Sequence, residues 1–161
     1  MKRSCILLLF LIFGILFTGC TPHTDHLAPL RGDFTAEIAG EMNGVSFSAL
    51  CTALTDGNGE RTVTFTFYAP TALCDTVIKR AHDGAITLSV GEVAVSGVPD
   101  GITPLFALFA PDGEVTAVSL TDEGHTKVTG EGFAVTFLSD GTPYLLENSA
   151  ARVTVVRFEG A

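Results

Sequence analysis

Apolar and polar residues alternate with a period of two along most of the chain from Asp33 onward. The alternation is clear over residues 34–39, 45–53 and 62–67, where Phe, Val, Ile and Ala alternate with Thr, Ser and Glu. A period of two is typical of strands that bury one face in an antiparallel sheet. The same spacing predicts further strands at 86–90, 93–95, Glu114–Leu120, His125–Thr129, Phe133–Leu138, Pro143–Glu147 and Arg152–Phe158.

Glycine-containing pairs separate most of these strands. Asn58-Gly59 predicts a type I′ hairpin turn, because that turn needs positive φ at both central residues. The oxygen-rich stretch from Asp56 to Glu60 matches a calcium loop only in its first five positions. Arg61 and Phe67 stand where an EF-hand needs glycine and glutamate. We interpret it as a turn.

Two segments depart from the strand pattern. Leu73, Val77 and Ala81 would suit a helix over 71–81, whereas Val77, Lys79 and Ala81 would suit a strand. Thr103-Pro104 before a short apolar run to Ala110 predicts one or two helical turns, with Thr103 as N-cap and the proline at N1. The predicted fold class is α+β, mostly β: a curved antiparallel sheet, or incomplete barrel, with one or two short helices on its concave side.

The N-terminus resembles a bacterial lipoprotein signal. Lys2 and Arg3 precede an apolar segment that ends at Thr18-Gly19-Cys20, and the resemblance implies removal of residues 1–19 and lipidation of Cys20. The apolar run is too short for a typical membrane-spanning helix, which is the alternative. Two acyl chains, such as palmitate, would anchor the protein stably to the extracytoplasmic face of the cell membrane.

Residues 20–32 contain two prolines and no periodicity, which predicts a flexible tether before a domain at 33–160. His23, Asp25 and His26 lie close together, but a His-x-x-His spacing in a flexible segment is weak support for a metal site. We predict no metal and no cofactor.

Charge excludes one class of partner. The chain has 161 residues with 9 Lys and Arg against 18 Asp and Glu, a net charge of −9. Removal of residues 1–19 takes away Lys2 and Arg3, which leaves seven basic residues against 18 acidic ones and a net charge of −11. Nucleic-acid binding needs a basic face, so no nucleic-acid partner is expected.

Cys51 and Cys74 are the cysteines that remain free once Cys5 leaves with the signal and Cys20 is lipidated. In an extracytoplasmic protein they favour a disulfide, and two buried free thiols are the alternative.

Catalysis has little support in the sequence. No Gly-x-Ser-x-Gly, Ser-x-x-Lys or His-Glu-x-x-His motif is present, and His82 and His125 lie beside predicted turns. We therefore predict no catalytic residues; an envelope hydrolase using His82 or His125 and a purely structural envelope component are the alternatives.

Three stretches carry a resemblance to a known family: DFTAEIAGEMNGVSFSALCTAL, ERTVTFTFYAPTALCDTVIKR and GEGFAVTFLSDGTPYLLENSAARVTVVRF. In the order of their elements they resemble small Firmicutes lipoproteins with a LolA/LolB-like fold. The resemblance implies an incomplete barrel whose concave face can hold acyl chains or a helix, and in some clostridial members a role as a partner or activator in spore germination.

These observations predict a membrane-anchored, non-catalytic binding or scaffolding module for a protein partner or a lipid-like ligand. Strand phenylalanines and two on the predicted helix are the candidates for a ligand or partner groove: Phe47, Phe65, Phe67, Phe106, Phe109, Phe133 and Phe137.

Overall fold

A computed structural model describes residues 25–97 and 100–160, which form one antiparallel sheet of eleven strands. The predicted signal segment 1–19 and Cys20 lie outside these residues. The strands are β1 (Phe34–Met42), β2 (Val45–Thr55), β3 (Arg61–Ala69), β4 (Thr76–Arg80), β5 (Ile86–Val90), β6 (Val93–Ser96), β7 (Val115–Leu120), β8 (Thr126–Gly130), β9 (Phe133–Phe137), β10 (Pro143–Glu147) and β11 (Ala151–Gly160).

The first and last strands of the domain pair with each other in the middle of the sheet. The strand order is β6-β5-β4-β3-β2-β1-β11-β10-β9-β8-β7, so each half is a meander of hairpins. β6 and β7 are the two edges, and the sheet is not closed into a barrel. This architecture confirms the predicted fold class of a mostly β, open antiparallel sheet.

Alternation of burial along the strands confirms the period of two seen in the sequence. On β2, the side chains of Phe47, Ala49, Cys51 and Ala53 are buried, whereas those between them are partly exposed. We call the buried side of the sheet its inner face.

Two short helices pack on the inner face: α1 (Ala28–Arg31) and α2 (Thr103–Phe109). In α2, Leu105, Phe106, Leu108 and Phe109 are all fully buried. The N-cap of α2 is Ile102 rather than the predicted Thr103, and Pro104 lies in the first turn, where its missing N–H is not needed. The Asn148 side chain holds this end of α2 by donating to the Pro104 carbonyl at 2.8 Å.

Helix α1 corrects the predicted tether. Residues 25–32 belong to the folded domain, because Leu27 and Leu30 are fully buried in its core. Asp25 stabilises the turn by accepting from the Leu27 N–H at 3.1 Å and pairing with Arg31 at 2.7 Å. Leucines three residues apart share a helical face, which explains why this short segment docks instead of extending into solvent.

The hairpin turns differ from the predicted type at one site. Asn43 and Gly44 both have positive φ (51° and 80°), as a two-residue type I′ turn requires. At Asn58-Gly59 only Gly59 has positive φ, so the type I′ prediction there was wrong. The Asp56 carboxylate accepts from the backbone N–H of Asn58 and Glu60 at 2.8 and 2.9 Å, which favours a three-residue loop instead.

The ambiguous segment 71–81 contains both a helical turn and a strand. A 3₁₀ turn covers Thr71–Leu73, and β4 follows at Thr76–Arg80. The strand interpretation of Val77 and Lys79 is therefore confirmed.

Candidate functional site

The centre of the inner face is filled by aromatic side chains. Phe65 on β3 lies 5.0 Å from Phe106 and 5.5 Å from Phe109 between ring centroids, so α2 packs directly on the sheet. The structure buries every phenylalanine proposed from sequence as a groove residue: Phe47, Phe65, Phe67, Phe106, Phe109, Phe133 and Phe137. These side chains form core rather than an open groove, because α2 occupies the space over the sheet.

Apolar side chains remain exposed where the sheet extends beyond α2. One group consists of Val90, Val93 and Val95 on β5 and β6, and we call it the β6 margin. The other consists of Val115, Val118 and Leu120, and we call it the β7 margin. Leu120 is 76% exposed and Val93 is 67% exposed, and in each margin the exposed apolar side chains adjoin one another, which is more informative than single exposed residues.

Strand pairing places both margins on the inner face. Val95 pairs with Leu88, which pairs with the buried Ile78. At the other edge, Val118 pairs with the fully buried Val128. Directly paired residues of antiparallel strands project from the same face. The inner face is thus covered in the middle and uncovered at its two edges.

Arg61 marks one end of the inner face. Its guanidinium donates to the carbonyls of Leu30, at 2.6 Å, and of Arg31, the last residues of α1, and lies 5.8 Å from the Phe34 ring centroid. Burial lowers the pKa of Arg61, while Asp33 and Asp112 act in the opposite direction. Arg61 therefore ties α1 to β3 and satisfies carbonyls that the helix leaves unpaired.

A cleft of about 290 Å³ lies at this same end of the inner face. It is lined by Arg61, Arg80, His82 and Asp112, among others. His82 Nδ1 lies 3.2 Å from Glu60 Oε2. The charged side chains of the lining are Arg61, Arg80 and Asp112, so the cleft has one more basic group than acidic ones, and Glu60 lies beside it against His82.

The opposite end of the sheet carries a larger polar cleft of about 700 Å³. Glu147 and Arg152 in its lining pair at 3.2 Å, and Asn148 accepts from the N–H groups of Ala150 and Ala151. These polar groups pair with one another and stabilise the turn between β10 and β11, so their arrangement does not require a ligand.

The two cysteines are free thiols, which corrects the predicted disulfide. Cys51 is fully buried on β2 opposite Phe65, whereas the Cys74 thiol donates to the Tyr68 carbonyl at 3.1 Å. Tyr68 lies three strand residues beyond Phe65, about 10 Å along β3, which is farther than a disulfide spans. Burial raises the pKa of Cys51, so this thiol is not poised as a nucleophile.

The titratable side chains of the described residues do not come together in a metal-binding cluster. Within 25–97 and 100–160, no group of three or more His, Cys, Asp or Glu side chains is placed to hold a metal ion. Asp25 pairs with Arg31, and the His125 ring lies tilted against that of Tyr144, with 5.9 Å between ring centroids. In the same part of the chain, every helix is too short to cross a membrane.

Sequence reasoning placed the margin residues on strands but did not single them out. Hairpins pair neighbouring strands on each side of the connection 97–114, but either end of each meander could have formed a sheet edge, so the sequence did not identify the margins. The sequence did indicate that Arg61 faces inward, because it shares the inward phase of β3 with Val63 and Phe65.

Comparisons with known proteins give a likeness in fold. No protein-family model matches the chain, and no curated protein sequence matches it significantly. The crystal structure of MucB superposes with a TM-score of 0.51 and 16% identity over 89% of this chain; the chain spans 60% of the MucB chain.

Two further solved structures superpose with lower TM-scores. The complex of Pseudomonas aeruginosa MucA and MucB gives a TM-score of 0.44 at 17% identity, covering 83% of this chain and 53% of that one. A LolA superfamily protein from Nitrosomonas europaea gives 0.35 at 10% identity, covering 81% and 86%. At these identities the likeness concerns the fold alone.

Proposed function

We propose that the protein is a lipid-anchored, non-catalytic binding module on the extracytoplasmic face of the cell membrane. In this proposal residues 1–19 are a cleaved signal, Cys20 carries the lipid, and the folded domain holds a protein partner. The basic n-region, the apolar segment and Gly19-Cys20 support the anchor.

The observation that carries the binding role is the pair of uncovered margins. Large apolar side chains that face the same side as the core are left in solvent at both edges of the sheet. Contiguous exposed apolar side chains on a folded protein mark interaction surfaces more often than isolated ones do.

A protein segment fits these margins better than a lipid does. An acyl chain needs an enclosed apolar cavity, and α2 fills the centre of the inner face with Leu105, Phe106, Leu108 and Phe109. The margins are open strips beside exposed strand backbone, which suits a partner that brings its own main chain.

The non-catalytic part of the proposal rests on the surroundings of the candidate catalytic side chains Cys51 and His82. The buried Cys51 has a raised pKa, and His82 is paired with a carboxylate of its own chain in an exposed position. An activated nucleophile is a hydroxyl or thiol hydrogen-bonded to an oriented base. Glu60 could orient His82 as a base, but within the described residues no hydroxyl or thiol is hydrogen-bonded to His82, and Cys51 lies opposite Phe65.

Site-specific photo-crosslinking in intact membranes tests the proposal. A photoreactive residue at Val118 or at Val95 should give a discrete protein adduct, whereas one at Leu54, similarly exposed on the opposite face of the sheet, should not. Equal labelling at all three positions, or adducts of lipid mass alone at the margins, would contradict the proposed protein-binding role.

The anchor is tested separately. Cys20→Ala should keep the full precursor mass and lose membrane attachment through acyl chains. The wild type should lose the mass of residues 1–19 and gain the mass of the lipid. An unchanged mass in both would exclude lipidation.

A further inference from the structure

We propose that the free edge of β7 receives an extended protein segment, apolar in its middle and basic at both ends, as a twelfth strand. The inference rests on the proposed binding function and names its docking edge and the chemistry of its partner.

The backbone of β7 is available for such pairing. β7 lies at the end of the strand order and pairs on one side only, with β8. All six of its residues are exposed, and Val115–Leu120 contains no proline and no charge. Natural proteins usually protect edge strands with such residues or with β-bulges. Apart from a bulge at its start, β7 has neither, so its apolar edge marks a pairing site.

A β-bulge limits the regular part of this edge. The β7–β8 register shifts between Val115 and Ala117, so continuous pairing geometry runs over Ala117–Leu120. The other edge, β6, has four residues and ends at Ser96, and no residue of β6 is charged either. Within three residues of its ends β6 has one acidic residue, Glu92, whereas β7 has an acidic pair at each end.

Acidic residues lie at both ends of β7. Asp112 and Glu114 precede the strand and Asp122 and Glu123 follow it, and all four are exposed. Glu131 joins the first pair, because its N–H donates to the Glu114 carbonyl at 3.2 Å. Lys127, half-buried on β8 opposite Ser119, is the cation on the neighbouring strand. An uncharged strand between two acidic ends complements an apolar segment with Lys or Arg at each end.

The same charges disfavour a second copy of this chain as the occupant. Antiparallel pairing of two β7 edges would bring Glu114 of one copy near Asp122 and Glu123 of the other. Like charges facing each other across strands are destabilising, so β7 is protected against self-pairing while open to a basic partner.

The test uses the full-length protein and the synthetic peptide KKVTVTVKK as the probe. We expect the peptide to bind and to slow hydrogen exchange at the amides of β7 but not of β6. The peptide EEVTVTVEE should bind at least about tenfold more weakly, because it loses charge complementarity. A form of the basic peptide that is N-methylated at alternate residues should weaken by at least about as much, because it loses main-chain pairing.

Charge-reversal variants complete the test. Glu114→Lys with Asp122→Lys should weaken the basic peptide about tenfold and improve binding of the acidic one, whereas Glu92→Lys beside β6 should change neither. Undiminished binding of the N-methylated peptide, or protection of β6 instead of β7, would overturn the inference.

Failure here is distinguishable from failure of the proposed function. Discrete protein crosslinks at Val95 but not at Val118 would leave a binding module and exclude β7 as its docking edge. Dimerisation of the full-length protein that is abolished by Ser119→Pro would show a second copy on β7 and overturn the choice of a basic partner.

Discussion

The guanidinium of Arg61 on β3 donates to the carbonyl of Leu30 at the end of α1, with 2.6 Å between Nη2 and O. A second donation goes to the Arg31 carbonyl. One side chain of the sheet thereby holds the first helix of the domain.

Replacing Arg61 should loosen α1. Arg61→Met keeps much of the packing on Phe34 but removes both hydrogen bonds, and we expect a loss of about 1–3 kcal/mol in the free energy of unfolding. Arg61→Lys should recover only part of it, because a lysine ammonium does not reproduce the two-pronged donation of a guanidinium. Urea denaturation and limited proteolysis at residues 25–32 measure the effect; equal stability of all three proteins would contradict it.

Leu30 should be as important as a core residue of the sheet. It is fully buried, so Leu30→Ala is expected to cost about 2–5 kcal/mol. Leu54→Ala is the matched control: Leu54 is 57% exposed, and its change should stay within about 0.5 kcal/mol. Similar urea midpoints for the two variants would mean that residues 25–32 are a tether after all.

Gly40 permits the close approach of the two central strands. A Cβ at this position would meet the Arg152 carbonyl oxygen and lie 2.9 Å from Val153 Cα. Gly40→Ala should therefore destabilise the domain by about 1–3 kcal/mol. Gly57→Ala, where an added Cβ meets nothing within 4 Å, is the control for glycine replacement, and thermal unfolding of both variants measures the difference. Equal melting temperatures would exclude the close approach.

The two thiols should react at very different rates. Cys74 lies partly exposed, whereas Cys51 is buried and has a raised pKa, so alkylation of the native protein should modify Cys74 first. Cys51 should react only after denaturation. Mass spectrometry of the alkylated peptides measures both, and a Cys51–Cys74 peptide pair released only by reductant would contradict the free-thiol structure.

Acid should remove a contribution of Asp56 to stability. Backbone hydrogen bonds from Glu60 and Asn58 hold the pKa of this carboxyl below its ordinary value of 3.8. A depressed folded-state pKa stabilises the fold above the unfolded-state pKa, and the effect is lost as the pH falls through the folded-state value. The stability difference between wild type and Asp56→Asn should therefore shrink below about pH 4. Urea midpoints measured from neutral to acidic pH should converge; a constant gap would contradict the assignment.

The strands were predictable because burial imposes a period of two on each of them. The predicted segment Pro143–Glu147 matches β10, and Phe133–Leu138 differs from β9 by one residue. The pairing of β1 with β11 was not predictable in this way, since no local pattern specifies a partner more than one hundred residues away.

The candidate site was less accessible to sequence reasoning. Val118 and Val135 are both valines on predicted strands, yet Val135 is fully buried whereas Val118 is 47% exposed. The difference depends on how far each strand lies from the helix-covered centre of the sheet, which no local pattern records. The phenylalanine content predicted a groove. Large aromatic side chains gain the most free energy from burial, however, and these side chains lie in the core. Leu27 and Leu30 were missed because two residues in a proline-containing segment are too few to show a period.

If Cys20 carries a lipid as proposed, the docking of α1 also sets how far the domain can move from it. With residues 25–32 folded, Asp25 follows Cys20 by only five positions, and a fully extended chain of that length reaches about 18 Å. The domain would then sample a thin layer next to the bilayer instead of the open envelope space. Within that layer a membrane-borne partner is met at high effective concentration, so even a weak strand-to-strand contact could suffice for capture.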